Sequence, residues 1–150
     1  MRRGFTLIEL TLVLGVMTIV IAGVFITTRE SHNRALYDAL VVLQADLRYI
    51  QRRSITEGRP HVIVFNRQYN MYIIRVDGVI GEAGRIRTVY LPNGVTFHEI
   101  TAQGDRVSFT SRGTISSAFT VVVTNGRYRQ WLTGTVGAGS ININPELLRN

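Results

Sequence analysis

The sequence predicts an α+β chain, with one long N-terminal helix whose outer half is covered by antiparallel β-strands. Three observations carry this. Phe5 to Ile26 is an apolar run broken by a single charge, Glu9. Leu36, Leu40, Leu43, Leu47 and Ile50 then recur at alternating steps of four and three, the period of one helix face. From His61 the period falls to two, in short β-rich runs separated by turn residues.

Taken in order, Phe5 to Ile26 is long enough for a transmembrane helix, which needs about 20 apolar residues. Arg2 and Arg3 stand immediately before it, which places the N-terminus in the cytoplasm and the residues from about Thr27 onward on the far side. A secretory signal peptide has an apolar region of about 7 to 15 residues and a small-residue cleavage site beyond it, and this run is longer. A plain single-pass anchor accounts for the length but gives Glu9 no role. A charge at the bilayer centre costs roughly 2.5 to 3.5 kcal/mol, so Glu9 calls for a positive partner, and the span contains none.

No proline interrupts the chain between Phe5 and Arg59, so residues 27–58 continue as the amphipathic half of the same helix. Gly58 is placed as its stop and Pro60 prevents continuation. Tyr37, Val41 and Val42 widen the leucine seam, while Asp38, Asp46, Arg48, Arg52 and Arg53 occupy other faces. A coiled coil would need three or four heptads, and this seam ends after about two. The expected cover is therefore the chain's own sheet.

Residues 59–150 form a β-rich domain. His61 to Phe65 pairs with Met71 to Val76, and Arg85 to Leu91 pairs with Val95 to Ile100 across Pro92-Asn93-Gly94. Arg106 to Thr110, Ala118 to Thr124 and Arg127 to Thr135 follow, with Asn125-Gly126 as a strong hairpin signal and Ile141 to Ile143 as a last short strand.

Composition narrows the function. A chain of 150 residues has room for one membrane helix and one small domain. It has no cysteine, hence neither disulfides nor a thiolate metal site. The net charge is +7 and every cation is arginine, whose planar fork suits phosphate and carboxylate. His32, His61 and His98 lack metal-ligand spacing and are expected at the surface or its boundary. No nucleophile elbow, P-loop or EF-hand pattern is present. The expectation is a protein that is not an enzyme, with no cofactor, metal or small-molecule substrate.

Gly4-Phe5-Thr6-Leu7-Ile8-Glu9 at the head of a long apolar run closely resembles the signal of type IV pilins and type II secretion pseudopilins. The resemblance implies a leader, residues 1–4, cut between Gly4 and Phe5 by a prepilin peptidase, with Phe5 then N-methylated. It implies that Glu9 pairs with the terminal amine of a neighbouring subunit in a filament anchored in the bacterial inner membrane. Where major pilins usually carry a proline in the span, this chain has Gly15 and Gly23. The run Phe109 to Ile115 followed by Gly126-Arg127-Tyr128-Arg129 is similar to the H-type minor pseudopilins and the FimT minor pilins. The resemblance therefore implies a pilin-like fold and a minor structural subunit of a type IV pilus or type II secretion pseudopilus. Gly-Arg-x-Arg is also the pattern that FimT-like pilins use on DNA during uptake. Arg127, Arg129 and Trp131 would share one strand face, two forked cations beside an indole, suited to phosphate contact and base stacking. The alternative is that Trp131 packs in the core and the arginines solvate a sheet edge.

Overall fold

The computed structural model of the chain describes residues 6–136 and 139–149; the side chains of residues 22–33 lie outside the description. A single helix, α1 (Leu7–Glu57), spans 51 residues, roughly 77 Å at 1.5 Å per residue. It stops where expected. Gly58 takes the left-handed conformation at φ 63° and its N–H reaches back to the Ile55 carbonyl, a conformation that costs glycine least.

Among the described residues nine strands follow: β1 (His61–Asn66), β2 (Met71–Val76), β3 (Arg85–Tyr90), β4 (Thr96–Ile100), β5 (Arg106–Phe109), β6 (Phe119–Thr124), β7 (Tyr128–Gly134), β8 (Ile141–Ile143) and β9 (Leu148–Arg149). They form two antiparallel sheets. The first has the order β3-β2-β1-β5, and the second the order β4-β6-β7-β8 with β9 added on β7. The seam Leu36, Leu40, Leu43, Leu47 and Ile50 is fully buried against inward residues of both sheets, among them Ile63, Phe65, Tyr72, Ile74, Val121, Val123 and Leu132. The α+β architecture read from the sequence, a long helix covered by antiparallel strands, is the one observed, down to the bounds of β2 and β8.

Four details differ from expectation. β3 and β4 do not pair: Leu91 ties back to the Asn70 carbonyl, a turn at Pro92 closes on the Val95 N–H, and the chain crosses to the second sheet. A hairpin would have left Phe97 and Ile100 at the first sheet's edge. Beside β6, with a register shift between Phe97 and Glu99, both reach the core.

Tyr37, Val41 and Val42 do not widen the seam. They are exposed, because two sheets cover only the arc centred on the leucines. Asp46 is 5% exposed rather than on an outer face. It lies at the flank of the seam, where Tyr72 Oη donates to its Oδ2 at 2.7 Å and the Arg87 guanidinium bonds its Oδ1. The ion pair ties helix to first sheet, and burial pushes the Tyr72 phenol up.

His61 is fully buried rather than at the surface, because it opens β1, an interior strand, directly beneath the helix end. Its Nδ1 lies 3.0 Å from the Arg59 carbonyl and 3.2 Å from Ser54 Oγ. The Ser54 hydroxyl itself donates to the Ile50 carbonyl at 2.8 Å, and on the ring's other side Nε2 lies 3.5 Å from Glu57 Oε2.

Candidate functional site

Two places carry the residues singled out above. At the N-terminus, Gly4 and Phe5 lie outside the described residues. Thr6 caps the helix: its Oγ1 accepts the Glu9 N–H at 3.4 Å. Glu9 therefore sits in the first turn, where the helix dipole favours a carboxylate. It is exposed and forms no ion pair with a described residue. Around it the large apolar side chains from Leu7 to Ile21 are 48–82% exposed, and no part of the described chain lies over them. Among the described residues no helix is long and apolar enough to cross a membrane. The expected span of residues 5–26 extends beyond them at Phe5 and in the side chains from Ala22 onward.

The second place is the β6–β7 hairpin. Asn125-Gly126 does form the reversal, but β6 ends at Thr124 and β7 begins at Tyr128, so three residues rather than two make the loop. Asn125 Oδ1 accepts the N–H groups of Arg127 at 3.1 Å and Tyr128 at 2.8 Å, and Gly126 adopts φ 85°. The longer loop lifts Arg127 out of the strand, which begins at Tyr128. Arg127, Arg129 and Trp131 therefore do not share one strand face as expected. Arg127 is exposed in the loop, its guanidinium 5.6 Å from the Tyr128 ring centre.

Arg129 and Trp131 do share the outward face of β7, both half-buried, while Gln130 and Leu132 point inward. Trp131 is outside the core cluster and stands opposite Val122. Gln130, inside, donates from Nε2 to the Asn144 carbonyl at 3.1 Å. One basic residue nearby had no local signal. β9 pairs with the other edge of β7 and sets Arg149 opposite Tyr128, a consequence of long-range pairing alone.

The rest of the surface is less suggestive. An open cleft of about 470 Å³ beside the β2–β3 loop holds Arg75 and Arg106, but Arg75 is bonded to the Val79 carbonyl and Arg106 to Asp77 at 2.6 Å. Among the described residues no group of acidic or histidine side chains could hold a metal ion.

Comparison with known proteins agrees with both the terminus and the fold. Residues 1–25 match the family model described as the prokaryotic N-terminal methylation motif. No curated protein sequence matches the chain. Among solved structures, the type IV minor pilin FimU of Pseudomonas aeruginosa (strain PAO1) is 20% identical at a TM-score of 0.61, covering 77% of this chain and 94% of that one. The minor pseudopilin EpsH from the type 2 secretion system of Vibrio cholerae is 11% identical at a TM-score of 0.58, covering 73% and 95%. The chain thus carries a prokaryotic N-terminal methylation motif at the head of α1 and, behind it, the fold of these minor pilins and pseudopilins.

Proposed function

We propose that the chain is a minor pilin or pseudopilin, a structural subunit of a type IV pilus or a type II secretion pseudopilus. The observation that carries this reading is the methylation motif in residues 1–25, leading into a helix whose large apolar side chains from Leu7 to Ile21 are uncovered by the described fold. In this reading the prepilin peptidase removes Met1 to Gly4 and Phe5 is methylated. The apolar half of α1 lies in the inner membrane with its N-terminus cytoplasmic, then packs among other subunits when the filament assembles. Residues from about Thr27 onward are extracytoplasmic. Glu9 neutralises the terminal amine of a neighbour, an attraction far stronger in an apolar medium than in water.

Intact mass measurement of membrane-extracted protein tests it. The expected mass is that of a chain starting at methylated Phe5, and a chain still starting at Met1 refutes the reading. Glu9→Ala is expected to impair filament incorporation while leaving membrane insertion intact or improved, since it removes a buried charge; normal incorporation of the variant would show that the pairing is not needed.

A second reading, a minor pilin that binds DNA for uptake, is favoured by one observation: Trp131 stands outside the core, beside Arg129 on the outward face of β7. Phosphate contacts from Arg127 and Arg129 would make affinity fall steeply with salt and show little sequence preference. Titration of the soluble domain with short duplex and single-stranded DNA tests this. Absence of binding at low salt leaves only the structural subunit.

A further inference from the structure

Five of the seventeen arginines of this chain are matched by ion pairs between described residues. Arg53 pairs with Glu57, Arg67 with Asp105, Arg85 with Glu82, Arg87 with Asp46 and Arg106 with Asp77. Arg48, Arg52, Arg59 and Arg112 are exposed and form no ion pair with a described residue.

These four are gathered at the far end of α1. Arg48 and Arg52 are one turn apart and point the same way. Arg59 follows directly on the helix cap. Arg112 is carried there by its loop. Gln51 Nε2 donates to the Gly113 carbonyl at 2.9 Å, and Gly113 sits so close that a Cβ on it would lie 2.6 Å from Ile55 Cδ1. The same outward stripe runs back through Ala45 to Val41, both exposed, on the side of α1 away from the buried leucines.

We infer that this outward face of α1, with the loop at Arg112, is a docking surface for an acidic surface of a different protein chain. The inference rests on the subunit reading above. Arginine is enriched at interfaces and among their hot spots, and guanidinium forks pair with carboxylates through two parallel bonds. A second copy of this chain is disfavoured, because apposed arginines repel. Anionic lipid is out of reach: Arg48 lies about 33 Å along the helix from Ile26, several Debye lengths at physiological salt. Nucleic acid would use the arginines but has no use for a stripe that continues into Ala45 and Val41.

Site-specific photo-crosslinking in the host cell tests this, with Ala45 replaced by p-benzoylphenylalanine in the full chain. The expected product is a crosslink to a segment rich in aspartate and glutamate on another chain, identified by mass spectrometry of the joined peptides. Arg48→Glu combined with Arg52→Glu should cut its yield by about tenfold or more without changing the melting temperature. Arg48→Lys combined with Arg52→Lys should retain much of it. A crosslink to a second copy, to lipid or to nucleic acid overturns the inference, as does no crosslink or a yield unaffected by charge reversal. The intact mass of the same sample separates the two levels. An unprocessed chain refutes the subunit reading, and a processed chain without the crosslink refutes the docking surface alone.

Discussion

Along α1, residues 36–50 and residues 7–21 are rich in the same aliphatic side chains. The leucine seam of the first is completely buried, and the large apolar residues of the second are 48–82% exposed. Helical propensity does not distinguish them, since both belong to one unbroken helix. The difference lies in pattern and in chain order. The outer half confines its leucines to one stripe, so two sheets can cover it while the opposite face stays solvated. The inner half is apolar all round, which suits a helix surrounded by apolar material on every side. Each large side chain left in water forgoes about 1.5–3 kcal/mol of burial. The fold thus covers the leucine seam of residues 36–50 and leaves the large apolar side chains of residues 7–21 uncovered.

The sharpest way to break this comparison is to truncate equivalent leucines in the two halves. Leu43→Ala is expected to lower the stability of the folded domain by about 2–5 kcal/mol. Leu14→Ala should leave it unchanged, both being measured by chemical denaturation of the full chain in detergent. A fragment starting near Thr28 should be a soluble monomer by ultracentrifugation. An aggregated fragment or a helical dimer would show that the outer half also depends on partners.

Removing the anchor of helix to first sheet comes next. Asp46→Ala deprives both Tyr72 and Arg87 of their acceptor and should cost about 1.5–3 kcal/mol. Tyr72→Phe, which keeps the ring, should cost about 1 kcal/mol. The double variant should cost less than the sum, because the two changes act on one network.

The second sheet is tested at Gly134. It stands opposite Phe119, whose buried ring occupies the space a Cβ would need. Gly134→Ala should destabilise by about 1–3 kcal/mol through overpacking, read as a lower denaturation midpoint at unchanged slope.

The smallest effect is one of pH. The bond from Arg53 holds the Glu57 carboxyl below its ordinary range. A depressed carboxyl contributes stability that is present above the ordinary carboxylate pKa and is lost as pH falls through the lower folded value. Glu57→Gln should therefore flatten the acid limb of the melting curve slightly, and a steeper limb would contradict the assignment.

Legibility followed range. Gly58, Pro60 and the leucine period placed the helix end and its buried face, because each acts within a few residues of itself. Asn125-Gly126 announced the β6–β7 reversal, yet the number of residues in its loop depended on side-chain bonds from Asn125 and on the pairing of Thr124 with Arg129. That one difference moved Arg127 off the strand while leaving Arg129 and Trp131 together. Asp46 and His61 read as surface residues because polarity is a local property, whereas their burial depends on strands that arrive from elsewhere in the chain.

By itself, the sequence determined a long helix with a leucine seam, its end at Glu57, the positions of most strands and the character of the N-terminus. All of these follow from short-range stereochemistry and the spacing of apolar residues. The tertiary structure alone decided that β3 and β4 part into different sheets, that Asp46 and His61 are enclosed, and that Arg149 lies beside Tyr128. It also decided that the loop of Arg112 and Gly113 packs on Gln51 and Ile55 near the helix end. The physical reason is common to all four: strand pairing and loop docking are settled by competition for one buried helix face, and no local window of residues contains that competition.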